Sequence, residues 1–200
     1  MLRAVIVGFG NIGHAVLEAL LASTDFEAAG VVSRSLAVGA LGDIPVVRDI
    51  EALPKPDVAI LCSPSRAVPD LAASLLEKGI CTVDSYDIHS SIYEVRQRLD
   101  AVAKAHGAAA VMSAGWDPGT DSMVRALLEA MAPKGITYTN FGPGMSMGHT
   151  VAVKAIPGVK NALSMTIPLG TGIHRRMVYV ELEEGHAFAD VAAAIKNDDY

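Results

Sequence analysis

The feature that most constrains the fold is a glycine-rich turn at residues 8–13, which reads Gly-Phe-Gly-Asn-Ile-Gly. An apolar, β-branched run precedes it at residues 4–7 (AVIV). After it, apolar residues recur at helical spacing: Ile12, Ala15, Val16, Ala19 and Leu20. A strand, a tight glycine turn and an amphipathic helix in this order open a βαβ unit, so the chain is predicted to begin with an α/β domain.

Glycines at these three positions have separate uses. One makes a tight turn, one lets the backbone approach a pyrophosphate, and one lets helix and strand pack closely. The helix N-terminus adds free N–H groups and the positive end of its dipole. The turn therefore predicts dinucleotide binding, the alternative being a merely tight turn. The predicted contacts are Gly8, Gly10, Asn11, Ile12 and Gly13.

Strands and helices alternate through the first half of the chain. Further strands are predicted near residues 28–32, 58–62, 81–83 and 109–113. Helices are predicted at 67–78, ending at Gly79, and from a capping box at Ser91 and Glu94 to about 106–107. This alternation predicts an α/β fold, a Rossmann-type doubly wound parallel sheet.

The pattern changes from about residue 117, where glycine, proline and methionine become frequent. Strands are predicted near 136–141, 163–167 and 177–182. These favour a second, α+β domain with an antiparallel or mixed sheet. The predicted division is 1–118 and 119–200, and we expect the second domain to be incomplete because the chain stops just after a helix.

The end of the second strand bears on cofactor choice. About 20 residues after the last glycine, an acidic side chain would bind the ribose 2′-hydroxyl of NAD. This chain has Ser33, Arg34 and Ser35 there instead. A guanidinium can donate two charge-assisted hydrogen bonds to a phosphate, so the stretch predicts NADP. The alternative is a solvated loop arginine.

Composition narrows the possible partners. A net charge of −6 disfavours nucleic acid. Polar residues interrupt the apolar N-terminus, which argues against a signal peptide, and no run is long enough to span a membrane. Cys62 and Cys81 are expected to be reduced thiols of a cytoplasmic protein. No metal site is predicted, because His149 has no plausible companion ligand.

Loops after the later strands carry the candidate chemistry. Ser63, Ser65 and Arg66 would flank a nicotinamide or form an ordinary turn. Ser85 and Tyr86 are also predicted cofactor contacts. Asp87 and Asp117 could orient a substrate amine, whereas Asp87 could instead serve a turn and Asp117 could be a helix cap before Pro118. Trp116 could belong to the same binding loop, or it could instead pack in the core. The glycine-rich turn at 140–149 and the basic cluster at 174–176 could each bind a carboxylate, and the basic cluster could equally be solvated surface.

Together these stretches resemble the meso-diaminopimelate dehydrogenases, closest to their thermophilic, broad-specificity D-amino-acid dehydrogenase type. The stretches are VGFGNIG (7–13), VVSRS (31–35), TVDSYDIH (82–89), SAGWDPG (113–119) and FGPGMSMGH (141–149). The resemblance implies NADP-dependent oxidative deamination at the D-centre of meso-2,6-diaminopimelate, in lysine biosynthesis. It also implies a Rossmann domain followed by a substrate and dimerisation domain, and a homodimer.

The resemblance further implies roles for residues. Asp87 and Asp117 would hold the reacting amine, with Trp116 beside it. The other implied substrate contacts are Met147 and Gly148 near the adjacent carboxylate, and Phe141, Thr166 and Arg176 at the distal L-centre. Family members continue well beyond residue 200, so a shortened chain is expected.

Two rival interpretations remain open. One is another NADP-dependent Rossmann oxidoreductase, of the dihydrodipicolinate reductase or semialdehyde dehydrogenase type. The latter needs a nucleophilic loop cysteine, whereas Cys62 and Cys81 lie in predicted strands. The other is a catalytically silent NADP(H)-binding module.

Overall fold

The computed structural model describes residues 1–135, 144–170 and 173–198, and only the backbone at positions 144, 147, 168 and 170. The chain divides into two compact units, Met1–Ala126 and Leu127–Tyr200.

A seven-stranded sheet forms the centre of the first unit. Its strands are β1 (Leu2–Val7), β2 (Phe26–Val32), β3 (Gly39–Leu41), β4 (Ile44–Val47), β5 (Val58–Leu61), β6 (Cys81–Asp84) and β7 (Ala110–Val111). They lie in the order β3-β4-β2-β1-β5-β6-β7, all parallel except β3. The chain leaves β1 toward β2 and later returns to its other side with β5. That reversal leaves a crevice at the carboxyl ends of β1 and β5, where open α/β sheets bind ligands.

Helices cover both faces of this sheet. They are α1 (Asn11–Ala22), α2 (Val68–Glu77) and α3 (Ile92–His106), and α4 (Thr120–Met131) follows β7. Alternate residues of β1 point to opposite faces: Val5 packs in one hydrophobic cluster with Leu76 and Leu99, and Ile6 in another with Leu20. Because β1 is buried on both faces, a continuous apolar run forms it, as the doubly wound prediction requires.

The second unit is an antiparallel sheet with helices. Its described strands, β8 (Gly144–Met145), β9 (Val159–Gly170) and β10 (Ile173–Leu182), pair in the order β10-β9-β8. The described helices are α5 (Met147–Lys154) and α6 (Phe188–Lys196). A small core joins Val153, Ile156, Val159 and Val191. The predicted fold class, a Rossmann-type sheet followed by an α+β region, is therefore confirmed.

Several boundaries differ from the sequence prediction. The strand predicted at 109–113 is only Ala110–Val111, because Ser113 has φ +57° and leaves the extended conformation. The capping box at Ser91 is wrong although α3 does begin at Ile92: the Ser91 hydroxyl bonds the Tyr86 hydroxyl instead, at 2.9 Å. The β3–β4 hairpin was not predicted, although Gly42-Asp43 between two apolar runs is a hairpin signal. The strand predicted at 136–141 lies outside the described residues.

Candidate active site

The glycine turn after β1 is fixed by sterics. Gly8 has φ +97°, and a Cβ there would lie 2.5 Å from the Cys62 carbonyl oxygen. A Cβ on Gly13 would lie 2.4 Å from the Gly8 carbonyl oxygen. A Cβ on Gly10, in contrast, would meet nothing within 4 Å. Two of the glycines therefore allow close packing of the turn, and the third faces open space.

That open space lies at the N-terminus of α1. Gly10 is the N-cap and has no side chain to bond the first N–H groups of the helix. Asn11 and Ile12 are exposed beside it. Unsatisfied N–H groups and the helix dipole favour an anion there, and the absent Cβ leaves room for it. The turn therefore fits the pyrophosphate of a dinucleotide.

The loop after β2 is shaped by its first serine. Ser33 is 3% exposed, and its hydroxyl accepts the N–H groups of Ser35 at 3.3 Å and Leu36 at 3.2 Å. Arg34 and Ser35 are exposed. The Ser33 hydroxyl thus helps to close the loop, and Arg34 is the exposed cation on it.

A second arginine reaches this loop. Nη1 of Arg48 donates to the Ser33 carbonyl oxygen at 2.6 Å. Arg48 follows β4, whose Val47 carbonyl accepts the Ser33 N–H at 3.0 Å. Sequence reasoning missed Arg48, because β4 was not predicted and its register beside β2 was therefore unknown.

The loop after β5 joins its neighbours on both sides. The Ser63 hydroxyl donates to the Val7 carbonyl of β1 at 3.4 Å. The Ser65 hydroxyl donates to Oδ1 of Asp87 at 2.5 Å. Arg66 is exposed in the same loop. Ser63 and Ser65 thus connect the crevice at β1 with the acidic loop after β6.

Tyr86 differs from its predicted role as a cofactor contact. Its side chain is 2% exposed and packs in the core with Leu99. Its N–H donates to Asp84, and its carbonyl accepts the Ser113 hydroxyl. Because its ring is in the core and both backbone groups are bonded, Tyr86 anchors the loop after β6 to the first unit. Ser85 and Asp87 are its more accessible neighbours.

The loop after β7 carries the second acidic candidate. Oδ1 of Asp117 accepts Nη2 of Arg125 at 3.1 Å, and Nε of Arg125 lies 3.1 Å from Oδ2 of Asp121. Helix α4 begins at Thr120, so Asp117 is not its N-cap. Trp116 is 58% exposed, which excludes core packing within the first unit. Asp117 is therefore not the cap of α4, and Trp116 does not belong to the core of the first unit.

The loops that carry Asp87 and Asp117 touch each other. A Cβ on Gly115 would lie 3.2 Å from Cβ of Ser85. Strands β6 and β7 are parallel neighbours, so both loops leave the same edge of the sheet as the glycine turn. The first unit thus places two carboxylates, an exposed indole and the open N-terminus of α1 along the carboxyl edge of its sheet.

The second unit carries the remaining described candidates. Met147 and Gly148 are the first residues of α5, after Ser146 as N-cap. Arg176 lies opposite Thr166 in the β9–β10 ladder, and its Nη1 donates to Oγ1 of Thr166 at 2.9 Å. Nη2 of Arg176 lies 3.4 Å from Nε2 of His174. The predicted contact Phe141 lies outside the described residues, as does the side chain of Met147.

The part of the chain that the structure describes contains neither a cluster of metal ligands nor a membrane-spanning helix. No three His, Cys, Asp or Glu side chains there are grouped to hold a metal ion. No helix there has the length and apolar character needed to cross a membrane.

Comparisons with known proteins identify both parts of the chain. Residues 2–113 match the oxidoreductase family with the NAD-binding Rossmann fold. Residues 115–178 match the diaminopimelic acid dehydrogenase C-terminal domain. A meso-diaminopimelate D-dehydrogenase of Bacteroides fragilis is 65% identical over 99% of this chain, which spans 67% of that relative.

The chain belongs to the meso-diaminopimelate D-dehydrogenase family.

Solved structures agree with this assignment. The C. glutamicum diaminopimelate dehydrogenase in complex with DAP is 32% identical, with a TM-score of 0.78. An engineered D-amino acid dehydrogenase bound to NADP+ is 29% identical, with a TM-score of 0.79. Each comparison covers at least 98% of this chain and 66% of the other. The chain thus spans about two thirds of these relatives, and the resemblance to the meso-diaminopimelate dehydrogenase family, predicted from the sequence motifs, is confirmed.

Proposed function

We propose that the protein catalyses the NADP-dependent oxidative deamination of meso-2,6-diaminopimelate at its D-centre. The reaction consumes water, releases ammonium and L-2-amino-6-oxopimelate, and reduces NADP to NADPH. It is reversible and belongs to lysine biosynthesis, and other D-amino acids are further candidate substrates. The observation that carries the proposal is the meeting of the Asp87 and Asp117 loops at the same sheet edge as the glycine turn.

The cofactor would lie along the carboxyl edge of the sheet. The N-terminus of α1 would hold the pyrophosphate beside Gly10. Exposed Arg34, with the Ser35 hydroxyl, would bind a 2′-phosphate, and Arg48 would hold the loop from behind. The nicotinamide would be flanked by two loops, the one after β5 with Ser63, Ser65 and Arg66, and the one after β6 with Ser85. When bound, NADP supplies the hydride acceptor for oxidation of the Cα–H bond.

Two carboxylates suit an ammonium group. Asp87 and Asp117 would accept hydrogen bonds from the amine of the D-centre, with Trp116 beside them. Arg125 holds one oxygen of Asp117, and the Ser65 hydroxyl holds one of Asp87. The amine must lose a proton before its Cα can be oxidised, so Asp87, Asp117 or a water between them would accept it. The main contribution of these residues is orientation of the Cα–H bond.

The substrate carboxylates would be bound by the second unit. Backbone N–H groups of Met147 and Gly148, at the start of α5, would meet the carboxylate next to the reacting amine. Arg176, already bonded to Thr166, would meet the distal carboxylate, and Phe141 completes the set carried over from the family. The matches to residues 2–113 and 115–178 support a functional division near residue 118.

We further propose a homodimer that works in the cytoplasm. Membership of the family supports the dimer, and the free thiols of Cys62 and Cys81 suit a reducing compartment. Light scattering after size exclusion measures the dimer directly: a mass near twice 20.9 kDa is expected, and a single-chain mass would contradict it.

NADPH absorbance at 340 nm tests the activity. Mixing the protein with meso-diaminopimelate and NADP should produce NADPH, and the L,L-isomer should produce none because it has no D-centre. NAD in place of NADP should be poorly used. Retained NADP binding without turnover of any D-amino acid would contradict the proposal and favour a silent NADP(H)-binding module.

A further inference from the structure

The loops that carry Asp87 and Asp117 are tied to a third carboxylate. Asp84, the last residue of β6, is 2% exposed. Its Oδ1 accepts two backbone N–H groups, from Tyr86 at 2.9 Å and from Ser113 at 3.1 Å. Its own carbonyl oxygen accepts the Ala114 N–H at 2.7 Å. One residue therefore bonds the loop that leads to Asp87 and the loop that leads to Asp117.

Ser113 completes the connection from the other side. Its hydroxyl donates to the Tyr86 carbonyl at 2.8 Å. Its backbone has φ +57°, a left-handed conformation that is unfavourable for a non-glycine residue. Such a conformation persists only where its surroundings impose it. The bonds to Asp84 and Tyr86 supply that constraint and redirect the chain toward Trp116 and Asp117.

We propose that Asp84 and Ser113 are positioning residues that hold the Asp87 and Asp117 loops in the fixed mutual geometry needed to bind the reacting amine. The inference rests on the proposed function for its catalytic consequence. The order of the two loops does not depend on that function. It can be measured without turnover.

A carboxylate at position 84 is not explained by stability. Burying it is unfavourable, and burial raises its pKa above the ordinary value although both backbone bonds act in the opposite direction. Its Oδ2 has no hydrogen-bond partner among the described residues. A charged acceptor makes stronger bonds to two N–H groups than a neutral one, which suits a fixed junction.

The chain offers a matched control two residues away. Thr82 lies on the same strand and the same face, is 1% exposed, and its hydroxyl also lacks a hydrogen-bond partner among the described residues. Thr82→Val keeps the shape and touches neither loop. Asp84→Ala removes the acceptor, whereas Asp84→Asn keeps an oxygen in its place and should rescue the junction.

Two readouts follow the loops directly. Hydrogen exchange measures protection of the Tyr86 and Ser113 amides. Trp116 is the chain's single tryptophan and sits on the second loop, so acrylamide quenching of its fluorescence reports loop order. We expect Asp84→Ala to raise amide exchange at least tenfold and to increase quenching, with Asp84→Asn much closer to wild type and Thr82→Val unchanged.

Kinetics then separate positioning from general destabilisation. In Asp84→Ala, kcat/KM for meso-diaminopimelate should fall about 10- to 100-fold, because the Asp87 and Asp117 carboxylates would no longer be held in place. The KM for NADP should change less than this, because Arg34 and Gly10, which would hold the phosphates, are untouched. Unchanged exchange and quenching in Asp84→Ala would overturn the proposal whether or not the protein turns over. An equal loss in Thr82→Val would also overturn it. A wild-type protein without turnover, but with the expected exchange pattern, would refute the proposed function alone.

Discussion

The glycine turn after β1 and the paired acidic loops after β6 and β7 lie on the same sheet edge, yet different forces hold them. The turn is fixed by backbone contact: Gly8 and Gly13 sit where a Cβ would collide with carbonyl oxygens. The acidic loops are fixed by side-chain hydrogen bonds that converge on Asp84. The turn is therefore packed through backbone atoms, whereas the junction of the two loops depends on one buried carboxylate. A substitution should thus damage the two regions in different ways.

The largest effect is expected from adding a methyl group to the turn. Gly8→Ala places a Cβ 2.5 Å from the Cys62 carbonyl oxygen in a residue with φ +97°. Strain and overpacking together should lower the free energy of unfolding by about 3 kcal/mol or more. Thermal or urea unfolding measures this loss.

Gly10→Ala is the matched control for that change. Its Cβ meets nothing within 4 Å, so folding should be nearly unaffected. NADP affinity should still fall, since the methyl group occupies the space for the pyrophosphate. Equal stability losses in the two variants would contradict the steric account of the turn.

Asp117→Asn should produce the next largest effect, chiefly on catalysis, because the partly exposed ion pair with Arg125 that it weakens contributes little to stability. The change keeps the shape but removes the charge that would face an ammonium group. Because hydrogen bonds to charged groups contribute about 1.5–3 kcal/mol, kcat/KM for meso-diaminopimelate should fall roughly 10- to 100-fold. Steady-state kinetics check this, and NADP affinity should be retained. A variant with wild-type kcat/KM would remove Asp117 from the site.

Arg34→Ala tests the cofactor end of the edge. Loss of a guanidinium from a 2′-phosphate should weaken NADP binding by about tenfold or more, and NAD binding should not change. Titration of both nucleotides against the variant measures the selectivity. Unaltered NADP affinity would mean that Arg34 is only a solvated loop residue.

The smallest expected effect concerns Cys62, whose carbonyl packs against the turn. Burial raises the pKa of its thiol to about 11, from 9.0. The unfolded thiol loses its proton near pH 9 and the folded one near pH 11, so this contribution to stability is present below pH 9 and is lost as pH rises through 11. Urea unfolding should show a lower free energy of unfolding at pH 10 than at pH 8. In Cys62→Ala this difference between the two pH values should be smaller. Identical pH dependence in both proteins would contradict the assignment.

The contrast between the local glycine turn and the long-range contacts at Asp84 explains which parts of the site the sequence could predict. The glycine turn is a local pattern, and the strand, turn and helix around it lie close to where periodicity placed them. The contacts at Asp84 were not predictable, because Ser113 lies 29 residues away and joins it only after β6 and β7 pair. Tyr86 was misjudged for a related reason: its ring lies in the core and its hydroxyl pairs with the Ser91 hydroxyl, and only the folded chain brings these groups together. The Ser33 hydroxyl accepts two backbone N–H groups, a contact that the sequence pattern alone does not show.

Isotope transfer shows which carbon of the substrate gives its hydride to NADP. Meso-diaminopimelate carrying deuterium on Cα of the D-centre is incubated with NADP and the protein, and the recovered NADPH is analysed by mass spectrometry. We expect NADPH one mass unit heavier from this substrate, and unlabelled NADPH when the deuterium is on the L-centre. Label arriving from the L-centre, or no NADPH from either substrate despite bound NADP, would contradict this expectation.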